Sequence, residues 1–199
     1  MTFLFISIVS VLTCFSLAQG NSVTVTNKGP KSENIGFFKN AGAFQPSFTA
    51  EKTITVLPGQ SKTVEFVAGW EGRAQKLTGA SNEPATWAEF HFNAWNDMTF
   101  GDISYIRGNN GAMVMTSEDG SMKSGTSENL IAEAPASLRK TDSSGTSILD
   151  ATEPYTGGKN NALIQYYRSK VQEGQGYIEH TDDKSAHGTT SKQLKLDVY

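Results

Sequence analysis

A single cysteine, Cys14, stands in this chain of 199 residues, and it falls inside the apolar N-terminal stretch. Everything after residue 20 is free of cysteine, which excludes disulfides, cysteine-ligated zinc and thiol catalysis there. Basic clusters are also missing. The chain sets 17 Lys and Arg against 20 Asp and Glu for a formal charge of −3, with no basic block, which argues against nucleic acid or an anionic membrane as the main partner. No Asn-x-Ser/Thr sequon, P-loop, dinucleotide fingerprint or G-x-S-x-G elbow occurs. His91, His180 and His187 share no metal-ligand spacing, so neither metal nor cofactor is expected, although His180 stands two residues before Asp182 and is a candidate to line a site there.

Long apolar runs are limited to one, Phe3 to Leu17, followed by the small residues Ala18 and Gly20. This pattern predicts a secretory signal peptide over residues 1–20. The run is shorter than the roughly 20 residues that a membrane span needs, and Val11-Leu12-Thr13 before Cys14 make a poor lipobox. Removing 20 of 199 residues leaves 179, one domain over residues 21–199 that can bury about 70% of its unfolded surface without staples. A secreted, extracellular monomer without a membrane span is the expectation.

What the chain does contain is alternation. Ser22–Asn27, Ile35–Phe38, Thr53–Val56 and Lys62–Val67 read as strands, with Phe44–Phe48 as a further short aromatic run and Leu57-Pro58-Gly59-Gln60 as a tight turn. Trp70–Gly79 reads as an edge strand carrying Arg73, and Met113–Thr116, Gly174–Glu179 and Gln193–Tyr199 as later strands. From Ser117 to Gly158 the composition shifts to Ser, Gly, Thr, Asp and Glu, which predicts a loop-rich, least ordered region with one or two helical turns in Glu128–Leu138. Asn161–Gln172 has apolar residues near helical spacing and is the best helix candidate.

One stretch carries more chemistry than the rest. In Pro84–Arg107, TWAEFHF and MTFGDISYI form a hairpin across Asn96-Asp97, with Phe90 and Phe92 on one face and Glu89 on the other. An even-numbered loop places Glu89 on the same face as Asp102. Two carboxyls on neighbouring strands suit glycoside cleavage, which needs an acid and a nucleophile or base. They equally suit solvated acids paired with Arg73 and Arg107. Trp70, Trp87, Trp95 and Tyr105 are candidates to stack on sugar rings, or else to fill core and edge positions.

The order LPGQ, GW, GRAQKLTGA, PATWAEFHFN, FGDISYIRG and NNGAMVM resembles the central half of a thaumatin-like protein of the osmotin and thaumatin type. ENLIAEAPASL and NALIQYYRSKVQEGQGYIEHTDDKSA are similar to later segments of that family, so the resemblance covers most of the chain past residue 20. It implies a mainly β fold, a thaumatin-like antiparallel β-sandwich with a loop-rich insertion and one or two short helices. Two departures stand out. The family's disulfides, each worth about 2 to 5 kcal/mol, are all missing. The family's acidic cleft of one Arg, one Glu and three Asp maps onto Arg73, Glu89, Asp102 and Asp182, with Arg107 where the middle Asp would be. The cleft becomes mixed in charge, which weakens its hold on cations, and two arginines beside the carboxyls favour their ionised form.

The resemblance implies binding of a cell-wall polysaccharide, a β-1,3-glucan, through Arg73, Glu89, Asp102, Arg107 and Asp182, in a defence, antifungal or host-interaction role as in pathogenesis-related proteins. The alternatives are a weak endo-β-1,3-glucanase with Glu89 and Asp102 as catalytic pair, and a protein-binding inhibitor of a glycosidase whose partner is an extracellular protein.

Overall fold

The computed structural model describes residues 20–199; the signal segment expected over residues 1–20, with Cys14, lies outside them except for Gly20. In chain order the strands are β1 (Asn21–Asn27), β2 (Glu33–Lys39), β3 (Lys52–Val56), β4 (Ser61–Phe66), β5 (Glu71–Lys76), β6 (Trp87–His91), β7 (Thr99–Ser104), β8 (Met113–Ser117) and β9 (Lys123–Thr126). The short helix α1 (Leu130–Glu133) precedes β10 (Arg139–Thr141) and β11 (Ser147–Leu149). Helix α2 (Asn161–Arg168), β12 (His187–Thr189) and β13 (Gln193–Val198) complete the chain.

Two sheets form a β-sandwich. One runs β4-β1-β13-β8-β9, the other β12-β7-β6-β5-β2-β3, and β10 and β11 make a separate hairpin. Pairing is antiparallel except between β1 and β13, which run parallel. The alternation of β1 explains its place: Val23 and Val25 are fully buried between the sheets, while Thr24 and Thr26 face out and hydrogen-bond Thr63 and Ser61 at 2.9 and 2.8 Å. β13 repeats the pattern with Leu194, Leu196 and Val198.

Aromatic packing is a central fastening between the sheets. Phe66 lies 4.6 Å from Trp70 and 5.4 Å from Phe90, and Trp70 stacks on Phe90 at 4.7 Å, joining β4, β6 and the turn before β5. Each such buried ring contributes about 2 kcal/mol or more of transfer free energy. Met113, Met115 and Met122 fill the space beneath β7, where a Cβ at Gly101 would stand only 2.8 Å from the Met115 sulfur.

Several elements differ from the sequence expectation. β5 is not an edge strand: it pairs with β2 on one side and β6 on the other, which fixes Arg73 in the middle of its sheet. Gly174–Glu179 forms no strand; Tyr177 makes one parallel bridge to Ser104, because its N–H and C=O bond only the Ile103 carbonyl and the Tyr105 N–H. Phe44–Phe48 is a loop around a Gly42–Gln45 bridge. Residues 117–158 are loop-rich as expected, with α1 inside Glu128–Leu138, but they also form the short strands β9, β10 and β11 and are pinned by buried Met122, Leu130, Ile131, Ile148 and Leu149. Helix α2 starts where the Asn160 side chain accepts from the Leu163 N–H at 3.2 Å, and it buries Leu163, Ile164, Tyr166 and Tyr167.

Candidate functional site

The β6–β7 hairpin turns through Asn93, Asn96 and Asp97, all with φ between 52 and 57°, a conformation that Asn and Asp tolerate better than most residues. Its last pair is His91 with Phe100, so the loop between them is even-numbered and the register sets Glu89 opposite Asp102. Across β5, Arg73 is opposite Glu89. Arg73, Glu89 and Asp102 thus form one row on the outer face of the six-stranded sheet, while Ala74, Ala88 and Ile103 point into the core.

Their side chains do not share one environment. Arg73 is 1% exposed, and its guanidinium lies 3.9 Å from the Trp87 ring centre and 4.5 Å from that of Phe38. Its Nε donates to Gln75 Oε1 at 2.8 Å and Nη1 to the Ser47 carbonyl at 2.9 Å, while Nη2 has no partner. Burial lowers its pKa to about 10, so it stays charged at neutral pH. Glu89 and Asp102 instead floor an open groove of about 430 Å³ whose walls include Phe44, Glu71, His91, Phe100 and Ala186.

Burial works against the expectation that neighbouring arginines keep this pair ionised. Burial is the largest influence on both carboxyls and raises their pKa values; for Glu89 it outweighs the pull of Arg73, the Ser104 hydroxyl and Arg107. Asp102 is raised well above the carboxylate range, by burial first and then by the Glu89 charge. Asp102 Oδ1 is buried with no hydrogen-bond partner. Two carboxyls this close resist carrying two charges at once.

The other two residues of the mapped cleft lie elsewhere. Arg107 turns away from Glu89 and Asp102: its guanidinium covers the Tyr155 ring at 3.7 Å and Nη1 donates to the Glu153 carbonyl, in a separate pocket with Glu83, Asp150 and Asn160. Asp182 accepts from Arg168 at 2.7 Å and from the Ile178 and Glu179 N–H groups at 2.9 Å each, a turn-closing role that holds its carboxylate below the usual range despite partial burial. It lines a third depression with Arg168 and Glu173, not the groove. His180 pairs with Glu153 at 3.0 Å. Among the described residues no group of three or more His, Asp or Glu side chains converges as a metal site.

Of the stacking candidates, Trp70, Trp87 and Tyr105 are buried, and Trp95 is exposed on the hairpin loop but outside the groove lining. The exposed rings beside the site are Phe44, Phe48 and Tyr155, and the unforeseen carboxyl is Glu83, placed between Arg73 and Arg107. Phe44 is 94% exposed with φ of 56°, on a loop tied down by Glu71, which accepts from the Asn40 side chain at 2.8 Å and the Phe44 N–H at 3.3 Å. An isolated Phe between Ala and Gln in a Gly/Ala/Pro-rich stretch was the available signal for that loop.

No family model matches the chain. Antigenic protein SchS21 of Stachybotrys chartarum is 39% identical over 62 residues, which is 31% of this chain and 43% of that protein. The chain therefore matches less than half the length of this relative. Among solved structures, the protein elicitor MoHrip2 from Magnaporthe oryzae aligns over 90% of this chain and 98% of its own, at 10% identity and a TM-score of 0.46. A thaumatin-like xylanase inhibitor aligns over 88% and 97% respectively, at 11% identity and a TM-score of 0.43.

Proposed function

We propose that the groove floored by Glu89 and Asp102 binds an extracellular polysaccharide, a β-1,3-glucan chain of the kind found in fungal walls, for an exported protein with a defence or host-interaction role. The observation that carries this is the directly opposed Glu89–Asp102 pair on the floor of an open groove. A sugar hydroxyl both donates and accepts. A carboxyl accepts when ionised and donates when protonated, so two neighbouring carboxyls can meet both needs. Phe44 and Phe100 on the walls present apolar rings to the C–H faces of a pyranose chain, the usual mix of apolar walls and a few placed polar groups in a ligand site.

Cutting is the second reading. Glycoside hydrolysis needs two carboxyls flanking the scissile bond, about 5 Å apart in retaining enzymes. Directly opposed residues of adjacent strands stand at a similar Cβ spacing, so a turnover assay separates holding from cutting. Co-sedimentation with insoluble β-1,3-glucan, run beside a reducing-end assay on laminarin, tests this. Binding without release is the expected result; release abolished by Glu89→Gln would establish hydrolysis instead, and no binding would reject the glucan.

A further inference from the structure

Beyond the groove, the same outer face carries a second opening of about 280 Å³, just under the usual size of small-ligand pockets, walled by Glu83, Pro84, Arg107, Asp150, Pro154 and Tyr155. It lies beside the groove: Pro46 of the groove wall stands two residues before the exposed Phe48, and Phe48 meets Tyr155 edge-on at 6.3 Å. Tyr155 is held in place by the Arg107 guanidinium at 3.7 Å from its ring centre, yet it remains 58% exposed. A large ring fixed at one point and still open to solvent is a poor contribution to the core and a good platform for an apolar ligand face.

The polar groups around that ring select against a charged ligand. Arg107 is already engaged by the ring and by the Glu153 carbonyl, Asp150 is paired with Lys140, and Glu83 lies between Arg73 and Arg107. An anion finds no free cation here, and a cation meets Arg107. What is left suits a neutral polyol: the Asn160 oxygen is taken by the Leu163 N–H, leaving its amide N–H groups as donors. Pro84 and Pro154 supply apolar wall.

We infer that this pocket is a second sugar subsite with the Tyr155 ring as its stacking platform, and that it and the Glu89–Asp102 groove hold one glucan chain between them. This inference rests on the groove being a glucan site. It predicts that affinity rises with chain length and that Tyr155 contributes only to the long-chain part.

The test is calorimetric titration of wild type, Tyr155→Ala and Tyr155→Phe with laminaritriose and with long-chain laminarin. Tyr155 is exposed, so its variants should keep the wild-type Tm, which is measured alongside. The expected result is about tenfold tighter binding of laminarin than of the triose by wild type and by Tyr155→Phe, and loss of that tenfold in Tyr155→Ala with the triose affinity unchanged. An intact length dependence in Tyr155→Ala, or an equal loss for both ligands, overturns the second subsite while leaving the groove standing. Wild type that binds neither ligand rejects the glucan site itself. Should Tyr155→Ala lower the Tm, Tyr155→Leu, which removes the ring but keeps apolar bulk, replaces it and the same outcomes apply.

Discussion

The Arg73 guanidinium lies 3.9 Å from the centre of the Trp87 ring, although the strand register sets Arg73 opposite Glu89. The arginine is thus a buried brace among Phe38, Phe48 and Trp87 rather than a ligand-facing cation. Arg73→Ala opens a void between these rings and is expected to cost about 3 kcal/mol. Urea denaturation measures this, and a loss below about 0.5 kcal/mol would contradict the bracing role.

Asp102 is predicted to trade stability for function. Its folded-state pKa is raised by burial and by Glu89, so the folded protein binds its proton more tightly than the unfolded chain does. The protonated group favours folding below the unfolded value near pH 4, and this is lost as pH rises toward the folded value, beyond which a buried charge opposes folding. Asp102→Asn should therefore raise the Tm at pH 8 by a few degrees and leave it nearly unchanged below about pH 4. Thermal scans across that range check the sign; a lower Tm at pH 8 would show that the carboxylate is stabilising.

Asp142 shows the opposite linkage. Its carboxylate accepts from the Ser144 hydroxyl at 2.6 Å, the Thr78 hydroxyl at 2.7 Å and the Ser144 and Thr146 N–H groups at 2.9 Å, and its pKa falls to about 2. The stability it supplies is fully present above the unfolded value near 4 and is lost as pH falls through about 2. Asp142→Asn should lower the Tm at pH 7, with the gap to wild type closing on acidification. A gap that is constant with pH would contradict the assignment.

Gly125 and Gly59 both hold positive φ, at 88° and 71°, but only one is crowded. A Cβ at 125 would stand 2.2 Å from the Met113 carbonyl oxygen and 2.7 Å from Ile103, whereas one at 59 meets nothing within 4 Å. Gly125→Ala is expected to cost about 3 kcal/mol or more and Gly59→Ala about 1 kcal/mol. Equal losses in chemical denaturation would refute the difference.

Much of the β-sandwich is legible in the sequence because period-two alternation and burial coincide, as in Ser22–Asn27 and Gln193–Val198. The Glu89–Asp102 pairing is legible for the same reason, since face and register follow from an even-numbered hairpin loop. β12 was not foreseen: His187-Gly188-Thr189 has no apolar alternation and exists because the β7 edge offers it backbone partners. The scattering of Arg107 and Asp182 was equally hidden, since a residue's place along a motif does not say which way its side chain turns. Tyr155 drew Arg107, and Arg168 with two backbone N–H groups drew Asp182. Phe48, Glu83 and Tyr155 meet only through loops far apart in the chain, which no local pattern reveals.

The central claim is that Glu89 and Asp102 hold a glucan, and the affinity of wild type beside the Glu89→Gln, Asp102→Asn double variant tests it most directly. Titration with laminarin at pH 6, on proteins shown to be folded by circular dichroism, should give measurable binding for wild type and a loss of at least tenfold for the double variant. Equal affinity in the two proteins would contradict the account.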